Sequence, residues 1–198
     1  LHFVEGPGAA RNQITYFQEP IGSVAIHPNE SSIAFSMDKG GTENAQIYLL
    51  DLKSASSKML TDGLSRNGGP LWSNAGNQLA FQSTRRNGKS NDVWVMSSDD
   101  PEKSELILES PDGTWWGAAD WTENDQRVLI QNYISVSNSQ AYIIDLKTKK
   151  KTLVLGSKDT VSVNTALAFD RDDKGIFFIT DAYGAFNQLA YHNLETQD

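Results

Sequence analysis

The 198-residue chain has no cysteine, three histidines and six prolines. Without thiols there can be no disulfide, no thiolate nucleophile and no cysteine-held metal, and cysteine usage says nothing of the redox compartment. His2, His27 and His192 lie in three separate segments. Chain order alone does not rule out a Ser-His-Asp triad, but no G-x-S-x-G elbow is present, since Gly63-Leu64-Ser65-Arg66-Asn67 lacks the final glycine. No apolar run approaches the ~18 residues of a membrane-spanning helix. Positive charge is also scarce, with 17 Lys and Arg against 25 Asp and Glu, a net charge of −8 and a pI near 4.8. That balance lacks the basic footprint needed for nucleic acid or an anionic membrane surface. An apolar stripe at helical spacing is missing as well.

What the chain does contain is a repeat. Ile26, Trp72, Trp121 and Phe169 stand 46, 49 and 48 residues apart and are expected to be buried at or near the end of each innermost strand. Nine residues after each comes Phe35, Phe81, Ile130 or Phe178, and seven after each comes Ile33, Leu79, Val128 or Ile176. A polar turn separates anchor from strand every time, richest in Ser73-Asn74-Ala75-Gly76-Asn77. About twenty residues after the anchor a third strand opens at Gln46, Asp92, Gln140 and Gln188. A fourth follows in the first three units, at 58–61, 105–108 and 152–155. Short strands bounded by turn chemistry, four per period of about 48, predict an all-β fold. The predicted architecture is a β-propeller of four-stranded antiparallel blades, four units being visible.

The units run near 21–61, 68–108, 117–155 and 164–194, all within one propeller domain or a piece of a larger propeller. Residues 13–17 read as an additional outer strand, expected to pair with 188–194 or with a neighbouring copy. Unpaired edges at the ends would invite edge-to-edge self-association. The start, Leu1-His2-Phe3-Val4-Glu5, is neither an initiator methionine nor a signal peptide, and the chain is expected to be excised from a longer one. The compartment is left open between cytoplasm and periplasm.

Few residues suggest chemistry. Asp170 to Gly175 with Asp181 superficially fits a calcium loop, but its fifth position is Lys174, a poor ligand, and the repeat assigns the stretch to a turn and strand. No metal or other cofactor is expected. Trp72 and Trp121 share a repeat position and are expected in blade packing, as are Trp94, Tyr142 and Tyr48. Trp115-Trp116 is not demanded by the repeat, because the other units carry Pro20-Ile21, Arg66-Asn67 and Val163-Asn164 there. Adjacent strand residues point to opposite faces, so at least one of the pair could face a cavity or partner.

In a propeller, the loops joining the second and third strands share a face with those entering the next inner strand. That face should gather Asp38, Glu43, Arg85, Arg86, Lys89, Tyr133 and Tyr183 from the first set, and Arg66, Asn67, Trp115 and Trp116 from the second. Arg is suited to carboxylates and Trp to contact area. Internal pairs such as Glu43 with an arginine are the plain alternative.

Several runs also resemble a known family. They are 12–17 (Asn-Gln-Ile-Thr-Tyr-Phe), 38–48 (Asp-Lys-Gly-Gly-Thr-Glu-Asn-Ala-Gln-Ile-Tyr), Leu60-Thr61-Asp62-Gly63, Trp72-Ser73, 83–89 (Ser-Thr-Arg-Arg-Asn-Gly-Lys) and Asp120-Trp121. Together they resemble the β-propeller of prolyl oligopeptidase family serine peptidases, in particular the acylaminoacyl- and dipeptidyl-peptidase-like members; TolB-like propellers share the single repeat motif. The resemblance implies a non-catalytic propeller that gates short peptides and docks an α/β-hydrolase domain of the same parent chain, which would hold the serine. A TolB-like protein-binding module without a peptidase partner is the alternative, and an enzyme built on the propeller face itself is a third possibility.

Overall fold

Leu79, Ala80 and Phe81 are consecutive in one strand and all buried. Successive strand residues face opposite ways, so this strand belongs to a sheet covered on both faces. The same holds for Ile33, Ala34 and Phe35 and for Val128, Leu129 and Ile130. The computed structural model, which describes residues 1–111 and 113–196, satisfies this with a row of small antiparallel sheets stacked face to face.

A two-stranded ribbon of β1 (His2–Phe3) and β2 (Asn12–Gln13) comes first. Blade 1 contains β3 (Ile21–Ile26), β4 (Ser32–Met37), β5 (Gln46–Asp51) and β6 (Ser57–Met59). Blade 2 contains β7 (Asn67–Trp72), β8 (Gln78–Ser83), β9 (Asp92–Ser97) and β10 (Ser104–Leu108). Blade 3 contains β11 (Trp115–Trp121), β12 (Arg127–Ser135), β13 (Asn138–Asp145) and β14 (Lys151–Leu155). Blade 4 contains β15 (Asn164–Phe169), β16 (Gly175–Thr180) and β17 (Gln188–Asn193). In every blade the strands pair in chain order, and the row does not close into a ring.

The registers explain the repeat. Phe35 pairs with Tyr48, Phe81 with Trp94, Ile130 with Tyr142 and Phe178 with Ala190. Each blade turns one apolar set to the blade before it and the alternate set to the blade after. Trp72, Leu79, Phe81 and Met96 pack with Ala34, Ile47 and Leu60 of blade 1. Ala80, Val93 and Val95 pack with Trp121, Val128, Ile130 and Ile144 of blade 3. Leu129, Ala141 and Ile143 pack with Phe169, Ile176 and Phe178 of blade 4.

Polar clasps reinforce these seams. The indole N–H of Trp72 donates to the Ala25 carbonyl at 3.2 Å, and that of Trp121 to the Leu71 carbonyl at 3.3 Å. At the tip of each first turn, Asp125 accepts from the backbone N–H groups of Asn74 and Ala75 at 2.7 and 2.9 Å. Asp173 accepts from that of Glu123 at 3.0 Å. His27 joins the first seam: its Nδ1 accepts from the N–H groups of Asn29 and Glu30, so its Nε2 carries the proton and donates to the Gly76 carbonyl at 3.0 Å. Asp125, Asp173 and Gly76 occupy the same turn position, four residues past the anchor, and all have positive φ.

Two expectations require correction. Ile26 is not buried like Trp72, Trp121 and Phe169; it is 74 % exposed. Those three close on a preceding blade, whereas among the described residues Ile26 lies beside Phe3, Ile14 and Tyr16 of the N-terminal segment. Residues 13–17 do not form an outer strand against 188–194. Asn12 and Gln13 pair with Phe3 and His2 instead, Phe17 stacks on Phe35 at 5.4 Å, and β17 is an edge strand among the described residues.

Candidate functional site

The loops between second and third strands meet the linkers entering the next blade at one end of the row. The Asn67 N–H donates to the Ala45 carbonyl at 2.8 Å, and the Thr84 N–H to the Arg66 carbonyl at 3.0 Å. The Ser139 N–H donates to the Ser162 carbonyl at 3.0 Å, and the Val163 N–H to the Asp181 carboxylate at 2.8 Å.

Much of the polarity here is spent on holding the chain. Gln46, buried at the start of β5, donates to the Ser65 carbonyl and accepts from Thr61, Gly63 and Asn67. Gln140, at the equivalent position in β13, donates to the Ser157 carbonyl at 2.7 Å. Asn164 fastens β15 to Ser139 and Ser162. In blade 2 the position is taken by Asp92, which is fully buried and accepts from the Ser110 N–H.

That substitution of charge for amide determines what Arg86 does. Its guanidinium grips Asp92 through both oxygens, at 2.7 and 3.0 Å, with Glu109 3.7 Å away. The hydrogen bond to Asp92 holds the guanidinium pKa above its ordinary value. Arg85 lies over the rings of Phe81 and Trp94, at 5.0 and 5.1 Å, and 3.9 Å from Asp62. Burial pulls its pKa down and the charge of Asp62 opposes that. Burial pushes Asp62 up, but hydrogen bonds from Ser65 and Leu64 and the charge of Arg85 leave its pKa lowered. The arginines thus find Asp62, Asp92 and Glu109 rather than Glu43.

The remaining expected residues sort as follows. Arg66 is exposed at the rim, 3.3 Å from Asn91. Trp115 and Tyr133 are cross-strand partners in β11 and β12, and both are exposed. Trp116, one residue on, turns the other way and is buried, 5.2 Å from Tyr142 and with the Lys151 ammonium 5.0 Å over its ring. Glu43 lies in a loop held by Asp38, whose carboxylate accepts from Thr42, Glu43 and Lys39; the Thr42 bond most of all lowers its pKa. Lys89 and Tyr183 are exposed on separate loops. The Asp170 carboxylate of the calcium-like loop is engaged by the Asp172 and Lys174 N–H groups and the Tyr191 hydroxyl.

Trp115 therefore stands at the junction of two hollows. One, of about 280 Å³, lies between it, Arg66, Asn67 and Gln82. The other, of about 650 Å³, is bounded by Trp115, Tyr133, Ala118, Ala119, Thr165 and Ala166. The small residues of β11 and β15 make the larger hollow, and the sequence reading passed over them because small apolar residues carry no chemical signal. A rim cation beside an aromatic wall can receive a carboxylate and an apolar side chain together.

A model of the prolyl oligopeptidase N-terminal β-propeller domain matches residues 17–189. The chain belongs to this family. Its fold is shared with TolB from Acinetobacter baumannii (18% identity, TM-score 0.73), covering 100% of this chain and 47% of that one. A prolyl endopeptidase structure is similar at 11% identity and TM-score 0.76, over 100% of this chain and 31% of that one. Oligopeptidase B from Leishmania major is similar at 15% identity and TM-score 0.63, over 89% and 25%. The chain thus spans less than half the length of these three proteins. Comparison with curated proteins gives no match in sequence.

Proposed function

We propose that this prolyl oligopeptidase-family propeller is the non-catalytic part of a serine peptidase, gating short peptides and docking an α/β-hydrolase domain of the same parent protein. The family match to residues 17–189 carries the reading. The larger hollow supports it: an aromatic pair, Trp115 and Tyr133, faces space at the loop end of the row, although the repeat would be satisfied without either. Arg66 at the rim suits a peptide carboxylate, whereas Arg85 and Arg86 are committed to internal partners and stabilise the face. The alternative, a TolB-like module that binds another protein, rests on a likeness of fold alone.

The test is made in a parent protein carrying both domains. Arg66→Ala, Trp115→Ala and Tyr133→Ala are compared with wild type for turnover of short and long peptides and for domain association. Changed selectivity for peptide length at unchanged thermal stability is expected. If all three variants keep wild-type selectivity and association, the proposal fails.

A further inference from the structure

Two polar groups in the smaller hollow beside Trp115 lack the partners that their counterparts have in other blades. Asn67 is only 3 % exposed. Its Nδ2 donates to Gln46 Oε1 at 3.1 Å and to the Ser65 carbonyl at 2.8 Å, which fixes the orientation of the amide. Its Oδ1 is buried and accepts no hydrogen bond among the described residues. Asn164 holds the same repeat position in blade 4, and there Oδ1 accepts from the hydroxyl of Thr180, its cross-strand partner, at 3.1 Å. The cross-strand partner of Asn67 is Ser83, whose hydroxyl oxygen is taken by the N–H and Nε–H of Arg85. A buried acceptor left unpaired is costly, so this one calls for a donor from outside the chain.

Gln82 is the second group. Gln131, at its position in blade 3, spans the seam to blade 4: Oε1 accepts from the Ala166 N–H at 2.7 Å and Nε2 donates to the Asn164 carbonyl at 3.1 Å. The side-chain amide of Gln82 makes no such bond among the described residues. It lies against Gly117 of blade 3, where a Cβ would come within 2.2 Å of Gln82 Nε2 and 2.6 Å of the Trp115 ring. Glycine there makes room for the amide and seats it beside the indole. At the rim, Arg66 donates to Asn91 Oδ1 at 3.3 Å and has no carboxylate partner among the described residues. With Ala45 on its far side, the hollow is enclosed by blades 1, 2 and 3, within the row and away from both of its ends.

An unpaired acceptor, a free amide beside it, a cation at the rim and an aromatic wall form one recognition set, and about 280 Å³ is room for a group the size of one amino acid. We infer that this hollow is a subsite for the free C-terminal residue of a peptide. The α-carboxylate lies on Arg66, the N–H of the same residue donates to Asn67 Oδ1, and its side chain rests on Trp115. The Gln82 amide receives the preceding peptide group, and the chain continues past Trp115 into the larger hollow. This rests on the peptide reading for the class of ligand and adds which end of the peptide is held. A free amino acid shares the chemistry of a carboxylate with N–H on the adjacent carbon, so it forms one arm of the test.

Isothermal titration of the 198-residue chain, with no hydrolase domain present, compares acetyl-alanyl-leucine with its C-terminal amide and with the analogue N-methylated at leucine. The free acid is expected to bind with a Kd of about 0.1–1 mM. The amide lacks the carboxylate and the N-methyl analogue lacks the N–H, and each is expected to bind at least about ten-fold more weakly. Arg66→Gln, at an exposed position, should weaken the free acid by a similar factor and leave the amide unchanged. Asn67 is tied into the Gln46 network, so its part is read through the N-methyl analogue and no buried residue is replaced. Absence of binding, or equal binding of the acid and either analogue, would overturn the inference. Free leucine binding as tightly as the dipeptide would make a single amino acid the ligand and overturn it equally. Such a failure leaves the gating reading intact, because that is judged by peptide-length selectivity in the two-domain parent.

Discussion

Arg86 closes on Asp92 with two parallel hydrogen bonds, at 2.7 and 3.0 Å, around a carboxylate with no exposure to solvent. The pair links the 84–91 loop to the start of β9, and through the Ser110 N–H to the linker leaving blade 2. It is a fastening of the face, so its loss should act on stability before it acts on any ligand. Asp92→Ala leaves the buried Ser110 N–H without its acceptor and frees the exposed Arg86 guanidinium, and a cost of about 1–3 kcal/mol in urea unfolding is expected. A change under about 1 kcal/mol would show the pair to be dispensable.

The four anchors give an internal control. Trp72→Ala removes a buried indole and its bond to Ala25, and should cost about 3–5 kcal/mol. Ile26→Ala, at the same repeat position but exposed, should stay within about 0.5 kcal/mol. Equal costs at the two positions would contradict the seam assignment.

Gly76 and Gly88 separate backbone from packing. Both have positive φ, but a Cβ at Gly76 would lie 2.4 Å from the His27 ring, and one at Gly88 would meet nothing within 4 Å. Gly88→Ala should show only the left-handed penalty of about 1–2 kcal/mol. Gly76→Ala should exceed it clearly in chemical denaturation, because the blade 1–2 clasp must shift as well.

Asp120 gives the pH dependence. Burial raises its pKa, hydrogen bonds from the Phe169 and Trp121 N–H groups oppose that, and the charge of Asp173 adds to the rise. A carboxyl raised in the folded state binds its proton more tightly there than in the unfolded chain. Its ionisation therefore opposes folding, fully so above the folded pKa and not at all below the unfolded value of 3.8. Asp120→Asn keeps an acceptor for Phe169 and removes the titration. Its stability relative to wild type should rise between pH 3 and pH 7. Taking the difference cancels the opposite trend of Asp51, Asp145 and Asp170, whose hydrogen bonds lower their pKa values. A flat difference would refute the assignment.

The fold was legible because blade packing repeats at one period, and the offsets from anchor to Ile33, Leu79, Val128 and Ile176 survive as strand registers. The burial of an anchor was less legible, since it depends on a neighbour that the anchor's own segment does not encode; Ile26 shows this. The opposite fates of Trp115 and Trp116 follow from strand alternation once β11 is known to be regular there. The commitment of Arg86 had a signal that was missed. Asp92 stands where Gln46, Gln140 and Gln188 stand in the other units, and a charge replacing a tethering amide calls for a cation nearby. The hollow beside Trp115 left no such trace, being made of space above Ala118, Ala119 and Ala166.

The indole bonds and turn clasps each join residues 47 to 51 positions apart, while the strand pairings within a blade close over far shorter loops. A hairpin can form by itself, whereas a clasp needs two finished blades and a long closed loop. The seams should therefore be late events on the folding route. Truncating Trp121 or Asp125 is expected to leave the refolding rate nearly unchanged and to hasten unfolding, so that the lifetime of the stacked row, more than the speed of its assembly, is what these side chains set.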